Sequence, residues 1–108
     1  MGSQPAPHAV GDWLERRLPR LLARHAVVSA WIFGSFARGE ADALSDIDLL
    51  VVADSTRPFV DRFRDFLDLL REAPVGLDLL VYTPAEFARE RRTNRFVRNA
   101  LRGARRIA

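Results

Sequence analysis

The sequence predicts a single α/β (α+β) domain. Three observations predict it: a length of 108 residues, three short apolar runs rich in β-branched residues, and amphipathic stretches of helical period around them. Residues 1–11, with Pro5, Pro7 and two glycines, read as a flexible leader, and residues 12–108 as the domain. Asp12 is placed to cap a helix whose Trp13, Leu14, Leu18, Leu21 and Leu22 recur at helical spacing. Pro19, which has no N–H, should kink or split it. Residues 27–33 form a buried strand stopped by Gly34. A short helical turn over 35–38 and a polar loop over 39–45 follow. Residues 47–53 form a second strand, with Asp46, Asp48, Leu50 and Val52 on one face and Ile47, Leu49 and Val51 on the other. The wholly apolar face should pack on helices. Phe59, Val60, Phe63, Phe66, Leu67 and Leu70 mark an amphipathic helix over 58–72. A third strand, 77–82, turns Asp78, Leu80 and Tyr82 to one face. Pro84 opens another helix, a break near Thr93 and Asn94 leads to a second, and Gly103 ends that one before a short edge strand over 104–107.

Composition narrows the function. The apolar and charged fractions, 48% and 29%, are those of a globular domain. With no cysteine in the chain there are neither disulfides nor thiolate metal sites. All 17 basic residues are arginine, which excludes a Gly-Lys-Ser/Thr phosphate loop. The start of the chain lacks a basic segment followed by an apolar one, and no apolar run nears about 18 residues. The expectation is therefore a cytoplasmic protein without signal peptide or membrane span. Residues 89–108 hold eight arginines and one acid. Arg95, Arg98 and Arg102 form one helical stripe opposite Phe96, Val97, Ala100 and Leu101, either a solvated face or a surface for an acidic partner or RNA.

The chemistry lies in Gly34 and Ser35, in Asp46 and Asp48 ten residues on, and in Asp78. A carboxylate in an apolar strand is costly unless a cation or hydrogen-bond donors meet it. Two aspartates at i and i+2 share a face, about 6.5–7 Å apart at the backbone, so their carboxylates can converge on a pair of metal ions. If the second and third strands pair, Asp78 joins them as a further ligand able to accept a proton. A glycine at the strand end lets a phosphate approach the backbone, the following serine opens a helix, and Arg38 can add a charge-assisted bond. This set suits in-line attack of a hydroxyl on the α-phosphate of a nucleoside triphosphate with two magnesium ions. Ser45 is placed to cap the loop and fix Asp46. A hydrolytic triad of His25 and Ser35 with an aspartate is disfavoured by the lack of a Gly-x-Ser-x-Gly elbow. Trp13, Trp31 and the phenylalanines fall on apolar phases and read as core. Tyr82 shares a face with Asp78 and either borders the nucleotide or ends its strand.

The run Gly34-Ser-Phe-Ala-Arg-Gly39, followed by Ser45-Asp-Ile-Asp-Leu-Leu50, resembles the minimal nucleotidyltransferases of the DNA polymerase β superfamily. The resemblance is close over residues 27–82. It implies a small mixed β-sheet flanked by helices, with Gly34 and Ser35 on the triphosphate, Asp46 and Asp48 as magnesium ligands, and Asp78 as third ligand and base. Small domains of this kind resemble the antitoxin half of modules whose partner is a HEPN-type toxin, silenced by attaching AMP from ATP to a tyrosine. The alternatives are an antitoxin acting by contact alone, and transfer to RNA or a small molecule.

Overall fold

The computed structural model of the protein describes residues 7–42 and 45–108. Its first helical stretch is built in three pieces: α1 (Pro7–Asp12), a π-helical turn (Trp13–Arg17) and α2 (Leu18–Leu22). The wide turn, closed by Leu18 N–H on the Trp13 carbonyl, lies directly before Pro19, which cannot donate to an ordinary turn. The expected irregularity at this proline is therefore real. The helix start is not where Asp12 suggested. Asp12 has helical dihedrals and makes no capping bond, and Val10, assigned to the leader, is buried among the core residues. A leader confined to 1–6 lies outside the described residues.

Three strands match the expected runs: β1 (Val27–Phe33), β2 (Ile47–Ala53) and β3 (Leu77–Tyr82). A two-residue strand, β4 (Arg105–Arg106), pairs with β1 at Trp31 and Ile32. The sheet order is β3-β2-β1-β4, with β2 parallel to β3 and β1 antiparallel to both β2 and β4. The sheet is therefore mixed. Between β1 and β2 sits the four-residue α3 (Ser35–Arg38). It ends at Gly39, whose φ of 71° is a left-handed conformation suited to glycine.

The crossover from β2 to β3 departs from the single helix expected over 58–72. It is a 3-10 helix (Phe59–Phe66) followed by α4 (Leu67–Glu72), broken at Phe66 where φ is −123°. Residues three apart eclipse in a 3-10 helix, so a stripe written for 3.6 residues per turn does not stay on one face. Phe66 and Leu69 reach the core, whereas Phe59, Val60 and Phe63 are exposed. Arg62 turns inward instead. Only 7% exposed, it donates to the carbonyls of Arg57 and Val81, at 3.1 Å each, and pairs with both carboxylate oxygens of Glu86. Glu86 belongs to α5 (Pro84–Thr93), where it completes a capping box with Thr83. The pair thus ties the crossover to the start of α5.

Both faces of the sheet are covered. Ile47, Leu49 and Val51 of β2 pack with Ala30, Ile32 and Val81 against Trp13, Leu14, Leu18, Leu21, Leu22, Phe66 and Leu69. On the opposite face Leu50 and Val52 pack under Phe87 of α5 and Val97 of α6 (Arg95–Arg102). The face that carries the aspartates is therefore dry over most of its length, unlike the open face the alternation suggested. A strand buried on both sides reads as a near-continuous apolar run, as 47–53 does.

Candidate active site

The parallel register of β2 and β3 sets Asp48 directly beside Asp78, and the antiparallel register of β1 sets Phe33, the residue before Gly34, on the other side of Asp48. Asp48 and Asp78 are each the second residue of their strand. They stand where the helical cover gives out. The pKa of Asp48 is raised above the ordinary carboxylate value. Burial is the largest cause, followed by the negative charge of Asp78, hydrogen bonding to Asp78 when one of the two carboxyls is protonated, and the charge of Asp46, while Arg38 acts in the opposite sense. Like charges brought together in this way fit a hard divalent cation held by carboxylate oxygens.

Two glycines shape the acids. Gly34 has a φ of 73°, and a Cβ there would stand 3.2 Å from Cγ of Asp48, with Oδ2 closer still. Glycine is required at this position both for the backbone and for the carboxylate laid against it. Gly76, just before β3, accepts the Ile47 N–H at 2.8 Å, and a Cβ on it would stand 2.8 Å from Cγ of Asp46, with Oδ1 closer still. Asp46 thus rests against Gly76, close enough for its charge to act on Asp48. Among the described residues no three acidic or histidine side chains form a ready-made metal cage.

A cleft of about 880 Å³ opens over Asp48 and Asp78, within the roughly 300–1,000 Å³ of small-molecule sites. Gly34 and Arg38 line it together with α6, which contributes Phe96, Asn99, Ala100 and Arg102. Four of the expected site residues, Gly34, Arg38, Asp48 and Asp78, are therefore brought together. Ser35 begins α3 next to Gly34, and neither Ser35 nor Asp46 is among the residues lining the cleft. Arg38 is partly engaged, its Nε donating to Glu40 at 3.1 Å. Ser45 closes its loop on Asp42 through Oγ, which accepts the Asp42 N–H at 3.0 Å.

A nucleotidyltransferase domain model matches residues 12–105. The chain belongs to the nucleotidyltransferase domain family. This nucleotidyltransferase is 35% identical, over 69 residues, to a candidate protein adenylyltransferase of Methanocaldococcus jannaschii, the match covering 64% of the chain and 74% of that relative. Among solved structures, a candidate minimal nucleotidyltransferase is 34% identical, with a TM-score of 0.65 over 96% of this chain and 98% of the other. Two lower-identity matches share the fold. A toxin–antitoxin structure with AMP-PNP is 20% identical with a TM-score of 0.62, covering 87% of this chain and 72% of its own. A mutant of the toxin–antitoxin pair MntA–HpeT is 20% identical with a TM-score of 0.60, covering 87% and 71%. The enzyme's four-stranded mixed sheet with flanking helices is thus the polymerase-β-like core that the motif implied. No helix among the described residues is long and apolar enough to cross a membrane.

Sequence reasoning missed the far wall of the nucleotidyltransferase cleft. Phe96 was placed with the apolar side of its helix, yet it is 58% exposed. The signal was its neighbour: Asn94 caps α6 by accepting from Phe96 N and Val97 N. That cap fixes which of the two adjacent apolar residues turns inward, and Val97 is the one fully buried. Gly76, just ahead of the third strand, carries no sequence signal of its contact with Asp46.

Proposed function

We propose that this nucleotidyltransferase transfers AMP from ATP to a hydroxyl of a partner protein, a tyrosine of a HEPN-type toxin, and thereby acts as an antitoxin. The observation that carries the reading is the Asp48–Asp78 pair, held in register on the floor of a cleft beside Gly34. The relative described as a candidate protein adenylyltransferase and the toxin–antitoxin complexes of the same fold support protein as the acceptor.

Asp46, Asp48 and Asp78 would hold Mg²⁺, with two ions in the full site. When bound, the metal supplies charge neutralisation at the α-phosphate and the departing pyrophosphate. Gly34, bare of a side chain, lets the phosphates lie against the end of β1, Ser35 adds the first N–H groups of α3, and Arg38 adds a guanidinium from the same side. Asp78 takes the proton of the acceptor hydroxyl as its oxygen bonds to the α-phosphorus. The bond from that phosphorus to the oxygen bridging it to the β-phosphorus breaks, and pyrophosphate carries the electron pair away. The half-dry surroundings of Asp48 strengthen each of these charge interactions. The role for the cytoplasm follows from ATP and a toxin as substrates.

The test is incubation with the protein encoded next to this chain, Mg²⁺ and ATP labelled on the α-phosphate. Label on a tyrosine of the partner, absent with an Asp46→Ala, Asp48→Ala double variant, is the expected result. No label, with the double variant still neutralising the partner, would replace transfer by binding alone.

A further inference from the structure

The α6 wall of the cleft carries a feature that catalysis at the aspartates leaves unexplained. The Asn94 cap and the buried Val97 fix the helix on the sheet over Leu50 and Val52, and the same fixing turns Phe96 out beside Gly34, Asp48 and Asp78. A phenylalanine left 58% exposed forgoes a good part of what full burial would give it. Its ring is nevertheless oriented, standing at 86° to that of Phe33 with centroids 6.1 Å apart, and Phe33 is buried at the end of β1. One turn along the same face, Asn99 also lines the cleft. Asn99 is exposed there. A further turn along stands Arg102, next to Gly103, where a Cβ would meet Cγ of Arg38 at 3.9 Å. The wall thus carries an aromatic ring, the amide one turn from it, and a guanidinium at the end that lies near Arg38.

We infer that Phe96 is the platform on which the nucleobase stacks and that Asn99 reads its edge, with adenine preferred. The inference rests on the reading that this cleft takes a nucleoside triphosphate. A carboxamide offers one acceptor and one donor group, which match the N6 amine and N7 of adenine. Guanine presents two acceptors, O6 and N7, at the corresponding edge. Stacking alone is indifferent to the base, because every base has a π-face. Phe96 therefore supplies affinity and Asn99 the choice.

Calorimetric titration of the full chain with ATP, GTP and inorganic tripolyphosphate, all with Mg²⁺, tests this. Phe96→Ala should weaken ATP about 5- to 150-fold, the range for one base stacked on an aromatic ring, and leave tripolyphosphate unchanged. Phe96→Trp should keep ATP binding, and Asn99→Ala should narrow the ATP-to-GTP ratio. Undiminished ATP binding in Phe96→Ala overturns the inference, as does an equal loss of ATP and tripolyphosphate, which would make Phe96 a structural prop for α6. A wild-type chain that binds neither ATP nor tripolyphosphate sinks the triphosphate reading and this inference with it. A normal tripolyphosphate affinity with ATP unaffected by Phe96→Ala sinks the inference alone.

Discussion

Gly76→Ala should separate activity from stability. A Cβ at Gly76 would stand 2.8 Å from Cγ of Asp46, whereas non-bonded carbons rest at about 3.5–4.0 Å, so one of the two must move by about 1 Å. Gly76 does not have a positive φ, and its carbonyl is fixed by the Ile47 N–H, so the backbone tolerates alanine. Asp46 is exposed and its carboxylate swings on two torsions, so the acid yields. Surface changes of this kind stay within about 0.5 kcal/mol, and alanine's smaller unfolded-state entropy offsets about 0.4–1 kcal/mol. The melting temperature should stay level or rise slightly. A 1 Å displacement of a group in the reacting assembly costs about 100-fold in rate. Thermal unfolding, Mn²⁺ binding and the rate of labelling a partner protein, measured side by side, should show intact folding, weakened metal binding and a loss of about two orders of magnitude in rate. A folded variant within about threefold of the parent rate and metal affinity would refute the placement of Asp46 as a ligand held by Gly76.

Gly34→Ala should fail on both counts, because it strains a φ of 73° with ψ of −151°, a region open essentially to glycine alone, at a cost of about 1–3 kcal/mol, and also crowds Asp48; a melting temperature equal to that of Gly76→Ala would contradict the reading. In metal-free protein, Asp48→Asn should raise the melting temperature at neutral pH, since burial and Asp78 penalise the ionised carboxylate in the fold, and should abolish the stabilisation by Mg²⁺; an unchanged Mg²⁺ response would remove Asp48 from the ligand set. Glu86, held down to about 2 by its hydrogen bonds from Arg62 and Thr83 against an ordinary 4.5, contributes up to about 3 kcal/mol at neutral pH. Because its pKa is lowered on folding, that contribution is present above pH 4.5 and drains away as the pH falls toward 2. Chemical denaturation should show this acid limb shrink in Glu86→Gln, and an unaltered limb would mean the Arg62 pair carries no such stability.

The strands were legible because their apolar runs are bounded by glycine and proline, and their alternation placed Asp48 and Asp78 on one face. The alternation was silent about what covers that face. Leu50 and Val52 share the phase of Asp48 and demanded burial as firmly as Leu49 and Val51 did. In the crossover, Phe59, Val60 and Phe63 fit a helical stripe that a 3-10 helix cannot keep together, and Arg62 went inward because Val81, Arg57 and Glu86 supply what its guanidinium needs. Periodicity gives a residue's phase only for the helix type assumed. The choice between Phe96 and Val97 was decided by the cap at Asn94, which fixes where the helix begins.

The covered face explains why the site works where it does. Over Leu50 and Val52 the sheet is dry beneath Phe87 and Val97, while two residues earlier along β2 it opens into the cleft. Asp48 sits on that boundary. Farther in, its charge would meet the full cost of burial and the carboxyl would stay protonated. Farther out, water would screen it and neither Asp78 nor Arg38 would act on it strongly. Phe87 of α5 and Val97 of α6 set this boundary together, and α6 also lines the cleft. Desolvation of the acid and the shape of the cleft therefore share α6. A change that lifts α6 without touching any aspartate, such as Val97→Ala, which removes a fully buried side chain, should lower the pKa of Asp48 toward the ordinary value and weaken ATP together. Carboxylate NMR titration of the metal-free chain reads the first and calorimetry the second, and a shift in one without the other would break the link.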